Sequence, residues 1–139
     1  MPVEIHIDYP GSLLCIATHG PSGETLTTDA PPASGGRGET FSPTDLVAAA
    51  LGTCVTTVVN LLAREAGLDL AGTQVRVTKD MASDPPRRIA GLAVQVIFPA
   101  GATVPEPLRS AFAQAVSICP VRQSLHPDIR VSIDFIYPA

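Results

Sequence analysis

Residues 41–67 read FSPTDLVAAALGTCVTTVVNLLAREAG, and this stretch decides the fold. Its two ends predict a helix. Ser42 can cap the free N–H groups, Pro43 suits the first helical position, and Asp45 falls where a capping box places its acceptor. Gly67 is the left-handed residue at which such a helix stops.

The middle of this helix carries no charge between Leu46 and Ala63, and its polar side chains are threonines and Asn60. A surface helix would show a polar stripe, so we expect this one to be buried on most sides. A membrane span is the rival interpretation for an uncharged run of this length. The threonines and Asn60 dilute the hydropathy, and no Phe, Ile or Trp is present to face lipid. We therefore predict a core helix that holds Cys54 inside the protein.

The composition indicates a single domain over residues 1–139 whose surface is partly covered by another subunit. Hydrophobic residues make up 45% of the chain and charged ones only 16%. A net charge of −4 with scattered basic residues argues against nucleic-acid binding. The N-terminus does not resemble a signal peptide, and three widely spaced cysteines do not suggest a secreted disulfide scaffold, so we expect a cytoplasmic protein. The spacing of the histidines and cysteines predicts no metal site.

Around the central helix, hydrophobic alternation and turn residues predict six strands and a second helical region. We expect three strands before the helix, two after it, then the helical region and a final strand, an α+β order. The second helix should start at Pro105-Glu106-Pro107 and reach Cys119, and a further short turn covers 121–125. The predicted strands are Val3 to the Pro10-Gly11 turn, Leu13 to Thr18, a short one near Leu26, Gln74 to Thr78, Ile89 to Phe98, and Val131 to Tyr137.

The loop from Asp29 to Thr40 is long, rich in Pro, Gly, Ala and Ser, and carries Arg37 and Glu39. Two interpretations stay open. The loop is a plain linker, or it delivers Arg37 to the mouth of a site in front of the central helix.

The three cysteines differ in their local surroundings. Cys15 lies in an apolar strand, where a small core residue is expected. Cys54 in mid-helix is most simply an inert buried thiol with a raised pKa. Cys119 precedes Pro120 and can occupy a helix cap, a position that lowers a thiol pKa. Local physics alone therefore favours Cys119 as nucleophile and Cys54 as its partner.

Two segments resemble the signatures of a known family. Residues Ser42 to Cys54 resemble the first signature of the OsmC/Ohr family of thiol peroxidases. Cys119-Pro120-Val121 resembles the second, and Gly35-Gly36-Arg37-Gly38 is similar to the glycine-rich lead-in of the OsmC-like branch. The two cysteines lie 65 residues apart, in the order that the family has.

This resemblance implies an OsmC-like α+β fold, with curved antiparallel sheets around a long buried central helix, in an intertwined homodimer whose active sites lie at the interface. It implies that Cys54 attacks an organic hydroperoxide and becomes a sulfenic acid, which reverses the choice from local physics. Cys119 then forms a disulfide with it, and a dithiol reductant, such as a lipoyl-type one, reopens the bond. No cofactor is implied.

The activating groups of the family are not all matched. The family's peroxidases carry Glu directly after the proline of the first signature, where this chain has Thr44, and an Arg upstream, where it has Ser34. The candidates for rebuilding that pair are Arg37 as the cation and either Glu39 or Asp45 as the carboxylate. The alternative is an OsmC-like small-molecule-binding or structural dimer with little peroxidase activity.

Overall fold

The computed structural model describes residues 1–138, which fall into two compact units, Met1–Val47 and the remainder from Ala48. The first unit is an antiparallel sheet of three strands in the order β1-β2-β3. Its strands are β1 (Ile5–Gly11), β2 (Leu14–His19) and β3 (Thr25–Asp29), and a 3-10 turn follows at Pro32–Ser34.

The first hairpin turns later than the sequence suggests. Its two loop residues are Ser12 and Leu13, with φ of 58° and 62°, the pair of positive values that a type I′ turn requires. The register shifts between Asp8 and Gly11, so Pro10 lies at a bulge, where a missing N–H is tolerated. The predicted turn at Pro10-Gly11 is therefore wrong by two residues.

The first unit buries no apolar side chain. The buried residues within 1–47 are all polar, namely Thr28, Asp29 and Ser42. The apolar stripe of the N-terminal segment is instead more than half exposed, with Ile5 at 51%, Ile7 at 54% and Tyr9 at 62%. A sheet with such an uncovered face has no core of its own in one chain.

The helix α1 (Pro43–Glu65) begins and ends as the sequence predicts. At its start, the Ser42 N–H donates to Asp45 Oδ2 at 2.9 Å and the Asp45 N–H donates to Ser42 Oγ at 3.1 Å, which is a complete capping box. At its end, Gly67 takes a φ of +74°, and the Leu68 N–H donates to the Ala63 carbonyl at 2.8 Å. The structure confirms both predicted ends of the helix. They could be predicted because each cap depends on only a few neighbouring residues.

The second unit adds a mixed sheet of three strands in the order β4-β5-β6. Strands β4 and β5 are antiparallel, whereas β6 lies parallel to β5, because two helices form a crossover between them. The fold class is confirmed as α+β with two sheets and helices, and this parallel pair departs from the all-antiparallel expectation. The elements are β4 (Gln74–Met81), β5 (Ile89–Ile97), α2 (Glu106–Ser117), α3 (Pro120–Ser124) and β6 (Arg130–Ile136).

The burial of α1 follows one stripe rather than most of its circumference. The buried stripe recurs at helical spacing, while Thr53, Thr57 and Leu61 are exposed on another side. The helix is long and apolar enough to cross a bilayer by length and composition, a test that core helices of soluble proteins also pass. The expected burial on most sides is not reached within one chain. The buried residues are Ala48, Leu51, Gly52, Val55, Val59 and Ala63.

The second unit also contains an aromatic cluster, formed by Phe98, Phe112, Phe135 and Tyr137. The Phe98 ring centroid lies 4.8 Å from that of Tyr137, 5.7 Å from Phe112 and 6.1 Å from Phe135. The guanidinium carbon of Arg109 sits 3.9 Å above the Tyr137 ring, within cation–π range. The cluster joins α2 to the carboxyl ends of β5 and β6.

Helix α1 and strand β4 approach each other at Gly52. A Cβ at this position would lie 2.6 Å from Val77 Cγ2, closer than two carbon atoms can pack. Because a β-branched valine cannot swing away easily, the glycine is required by this contact.

We expect Gly52→Ala to destabilise the protein by about 1–2 kcal/mol, although the same change in an open helix would stabilise it by about 1 kcal/mol. Urea unfolding of Gly52→Ala, Val77→Ala and the double variant measures this. The free energy of unfolding lost in the double variant should be smaller than the sum of the two single losses, by about 1 kcal/mol or more. The reason is that alanine at 77 makes room for the new methyl group. A stabilised single variant would contradict the close contact.

Candidate active site

Cys54 lies on the margin of the buried stripe of α1 and is half-buried. Three neighbouring threonines donate hydrogen bonds from their hydroxyl groups to backbone carbonyls of α1 itself. Thr53 donates to the Ala49 carbonyl at 2.8 Å, and Thr56 to the Gly52 carbonyl at 2.7 Å. Thr57 donates to the Thr53 carbonyl at 2.8 Å. Because these protons are used within α1, they are not available to the thiol.

Cys119 occupies the cap of α3 and is only 2% exposed. Its backbone is extended, with ψ of 152°, Pro120 takes the first helical position, and the Gln123 N–H donates to the Cys119 carbonyl at 2.9 Å. This is the cap geometry that the Cys-Pro pair predicts. Helix α2 ends two residues earlier than expected, at Ser117.

Burial raises the pKa of the Cys119 thiol above its ordinary value. The backbone N–H groups of Arg122 and Val121 face the sulfur and act in the opposite direction, while the Cys54 thiol adds to the increase. The expectation of a lowered pKa from the cap alone is therefore wrong. Removing the sulfur from water outweighs the two N–H groups of a helix only five residues long.

The structure brings the side chains of Cys54 and Cys119 next to each other, close enough for one thiol to affect the pKa of the other. They come from α1 and from the cap of α3, two elements far apart in sequence. All three cysteines of the chain are free thiols. Two neighbouring thiols can form a disulfide once one of them is oxidised to a sulfenic acid.

The three candidate activating residues lie in the first unit. Arg37 and Glu39 form an ion pair at 4.0 Å, with side chains 79% and 69% exposed. A pair this exposed contributes little to stability. The Asp45 carboxylate serves the capping box of α1.

The loop that carries Arg37 is folded rather than extended. The Gly38 N–H donates to the Ala30 carbonyl at 3.2 Å, and the Asp29 N–H to the Phe41 carbonyl at 3.0 Å. The Asp29 carboxylate accepts the Glu39 N–H at 3.3 Å and is only 2% exposed. Sequence reasoning missed Asp29, because the run Asp29-Ala30-Pro31-Pro32 is typical of an exposed turn.

Across residues 1–138, the structure holds no group of His, Cys, Asp or Glu side chains arranged to hold a metal ion.

Comparison with known proteins gives one family and several solved structures. The family described as OsmC-like protein matches residues 36–134. No curated protein matches the sequence.

Among solved structures, an osmotic-stress-induced and detoxification response protein from Psychrobacter arcticus is 37% identical, covers 94% of this chain and 93% of that one, and has a TM-score of 0.88. The organic hydroperoxide resistance protein OsmC of Legionella pneumophila is 14% identical, with coverages of 99% and 98% and a TM-score of 0.74. OhrB of Bacillus subtilis, another organic hydroperoxide resistance protein, is 15% identical, with coverages of 97% and 98% and a TM-score of 0.67. The last two similarities concern the fold.

The raised pKa of Cys119 predicts a pH profile. In a Cys15→Ser, Cys54→Ser variant, the iodoacetamide reaction of Cys119 should have its inflection above the ordinary thiol value of about 8.5, because burial, the largest cause, is retained. In urea the inflection should fall to the ordinary value. Mass spectrometry of timed samples measures both, and a native inflection at or below the unfolded one would contradict the buried-thiol interpretation.

Proposed function

This chain belongs to the OsmC-like protein family, and we propose that it is a homodimeric, cysteine-dependent peroxidase that reduces organic hydroperoxides in defence against oxidative stress. One observation carries the proposal: the side chains of Cys54 and Cys119, 65 residues apart in sequence, lie next to each other. Relatives of the same fold from Legionella pneumophila and Bacillus subtilis are organic hydroperoxide resistance proteins, which supports the substrate class.

In the proposed first step the Cys54 thiolate attacks one oxygen of the hydroperoxide. The O–O bond breaks, the other oxygen leaves with a proton as the alcohol, and Cys54 becomes a sulfenic acid. In the second step the Cys119 sulfur attacks the Cys54 sulfur, a disulfide forms and water leaves. A dithiol then reduces the disulfide by exchange and is itself oxidised to a disulfide.

The surroundings of the two thiols support this division of roles. Cys119 is buried with a raised pKa, so it stays protonated near neutral pH and does not compete for the peroxide. Cys54 is less buried and is the thiol that a peroxide can reach. The raised pKa of Cys119 suits a thiol that reacts only once an adjacent sulfenic acid has formed.

Activation of Cys54 is proposed to come from the loop that carries Arg37. A guanidinium near a thiol favours the thiolate and lowers its pKa. Glu39 or Asp45 would take the place of the family's glutamate and hold that guanidinium. The folded loop, closed by the Asp29 and Gly38 hydrogen bonds, supports an ordered position for Arg37.

A second copy of the chain is proposed to cover the apolar face of the first sheet. The first unit buries no apolar side chain among its residues, and Ile5, Ile7 and Tyr9 are more than half exposed. On α1, Leu61 is also 49% exposed. Leaving this much apolar surface in water is costly, so burial between two copies accounts for it.

We further propose that residues 1–139 act as one domain and work in the cytoplasm. The family model spans residues 36–134 and so includes parts of both compact units. Free thiols that must cycle between oxidised and reduced states suit a compartment with a reducing pool.

The peroxidase mechanism predicts distinct fates for the cysteine variants. With cumene hydroperoxide and a dithiol, the wild type should turn over and, when the dithiol is withheld, form a disulfide between Cys54 and Cys119. Cys54→Ser should lose turnover, Cys119→Ser should accumulate oxidised Cys54, and Cys15→Ser should behave as wild type. Peroxide consumption and peptide mapping measure these outcomes. If both thiols stay unmodified while a control peroxidase is oxidised, the chain is better explained as a binding or structural dimer.

The activation hypothesis predicts a slower reaction after Arg37→Ala. Alkylation of Cys54 near neutral pH should slow by about tenfold, because the guanidinium no longer favours the thiolate. Arg87→Ala, which removes an exposed arginine from the turn between β4 and β5, is the matched control and should change nothing. An unchanged rate for Arg37→Ala would remove Arg37 from the mechanism.

The dimer hypothesis predicts that a charge on the apolar face of β1 weakens assembly. Sedimentation should show a dimer at micromolar concentration for the wild type, and Ile7→Asp should shift it toward monomer. His6→Asp places the same charge on the opposite face of the strand and should leave the dimer intact. A stable, folded wild-type monomer would contradict the proposal.

A further inference from the structure

The second sheet has one face turned away from α1, and this outer face carries charges of both signs on its two edge strands. Side chains alternate between the two faces along a strand. Val77 contacts Gly52 of α1 and so belongs to the inner face. The outer face consists of Gln74, Arg76, Thr78 and Asp80 of β4, Gly91, Ala93, Gln95 and Ile97 of β5, and Arg130, Ser132, Asp134 and Ile136 of β6.

The strand pairing places the charged residues of the outer face at the corners of a rectangle. Arg76 of β4 and Asp134 of β6 lie in one row across the sheet, and Asp80 of β4 and Arg130 of β6 lie in another. Adjacent strands are about 4.8 Å apart, so the two charges of a row are about 10 Å apart, and the rows are about 13 Å apart along the strands. Positive and negative charges therefore alternate around the four corners.

The middle strand keeps these charges apart. The uncharged residues Gln95 and Gly91 lie between the two charges of each row. Within residues 1–138, no carboxylate lies at ion-pairing distance from Arg76 or Arg130. Opposite charges stabilise a solvated sheet when they lie directly across from each other on adjacent strands, and these two rows lack such a pair. The charges of the outer face are thus unpaired within the chain.

The centre of the outer face is low enough for another sheet to approach. The Arg130 guanidinium lies over Gly91, with Nη2 3.2 Å from the position that a Cβ would take. A shallow depression of about 190 Å³ lies there, with Asp80 and Arg130 in its lining. Two packed sheets lie about 10 Å apart, which small central side chains permit. The row between the two charged rows has only small side chains, those of Thr78, Ala93 and Ser132.

We infer that a second copy of this chain packs its own outer face on this one, around a two-fold axis parallel to β5. Such an axis exchanges the two edge strands. Arg76 then faces Asp134 of the second copy, and Asp80 faces Arg130 of the second copy. Each pair forms twice, because a two-fold interface uses the same residues from both copies. This contact is distinct from the proposed dimer contact through β1 and does not rest on the proposed peroxidase function.

The apolar end of the outer face selects this axis. Ile97 is half-buried and Ile136 is 38% exposed, and they lie side by side in one row. An axis parallel to β5 places this row on the same row of the second copy and removes it from water. A two-fold axis across the strands would also pair the charges, but it would leave the two isoleucines exposed.

The size of the outer face predicts a weak contact. Three strands of about seven residues have a projected area on the order of 300 Å², whereas a stable interface buries about 800 Å² on each partner. Charge pairs at the corners of such a small contact are screened by salt. The association should therefore require high protein concentration and should depend on ionic strength.

Sedimentation equilibrium tests the contact through its salt dependence. At low ionic strength and near-millimolar protein concentration, the wild type should form a species of twice the mass that it has at low micromolar concentration. About 1 M salt, where the Debye length is about 3 Å, should weaken this doubling by about tenfold. The doubling is expected whether the smaller species is a monomer or a dimer, so the result does not depend on the contact through β1.

Charge reversal at one pair provides the matched variants. Arg76→Asp sets two carboxylates against each other and Asp134→Arg sets two guanidinium groups against each other, so each variant alone should associate about tenfold more weakly or less. An equimolar mixture of the two should recover the association, because the new carboxylate of one variant faces the new guanidinium of the other. Arg87→Asp lies outside the face in the turn between β4 and β5. It is the control for the change in net charge and should associate as the wild type does.

Four results would overturn this inference. These are no doubling of the wild type at any concentration, equal doubling at low and high salt, doubling by Arg76→Asp alone as by the wild type, and a mixture of the two variants that fails to recover it. Recovery of Arg76→Asp by Asp80→Arg in place of Asp134→Arg would contradict the axis parallel to β5, because only an axis across the strands brings those two positions together.

Discussion

The close approach of α1 to β4 at Gly52 is the constraint on which the rest of the second unit depends. With 2.6 Å between a hypothetical Cβ and Val77 Cγ2, the helix can present only a hydrogen atom to the strand. This fixes its rotation as well as its distance. At about 100° per residue, Cys54 lies about 200° around the helix from Gly52, which puts the thiol on the margin between the buried stripe and the exposed threonines.

The site combines two thiols with different surroundings. Cys54 stays on a rigid helix whose threonine hydroxyls are used by its own backbone, whereas Cys119 lies at the start of a helix five residues long, where burial keeps the thiol protonated. The proposed chemistry uses this difference, since one thiol must ionise and the other must wait.

Local chemistry explains which parts of the structure could be predicted from the sequence. The capping box at Ser42 and the helix end at Gly67 can be predicted from the sequence, because each depends on a few adjacent residues. Three other features cannot be predicted in this way, since they depend on groups that are distant in sequence. These are the extent of burial of α1, the parallel pairing of β6 and the raised pKa of Cys119. Asp29 shows the same limit: its sequence context is that of an exposed turn, yet the fold buries it. Signature motifs located the two thiols, and cap geometry alone gave the wrong direction for the pKa of Cys119.

The aromatic cluster has a consequence for spectroscopy. The chain contains no tryptophan and only two tyrosines. Tyr137 is stacked on Phe98 beneath Arg109 in the second unit, whereas Tyr9 is 62% exposed in the first. An asymmetric, packed environment is what gives an aromatic ring a near-ultraviolet circular dichroism signal. That signal therefore originates mainly in the second unit, so the chain carries an intrinsic optical label for the half of the molecule that holds both thiols.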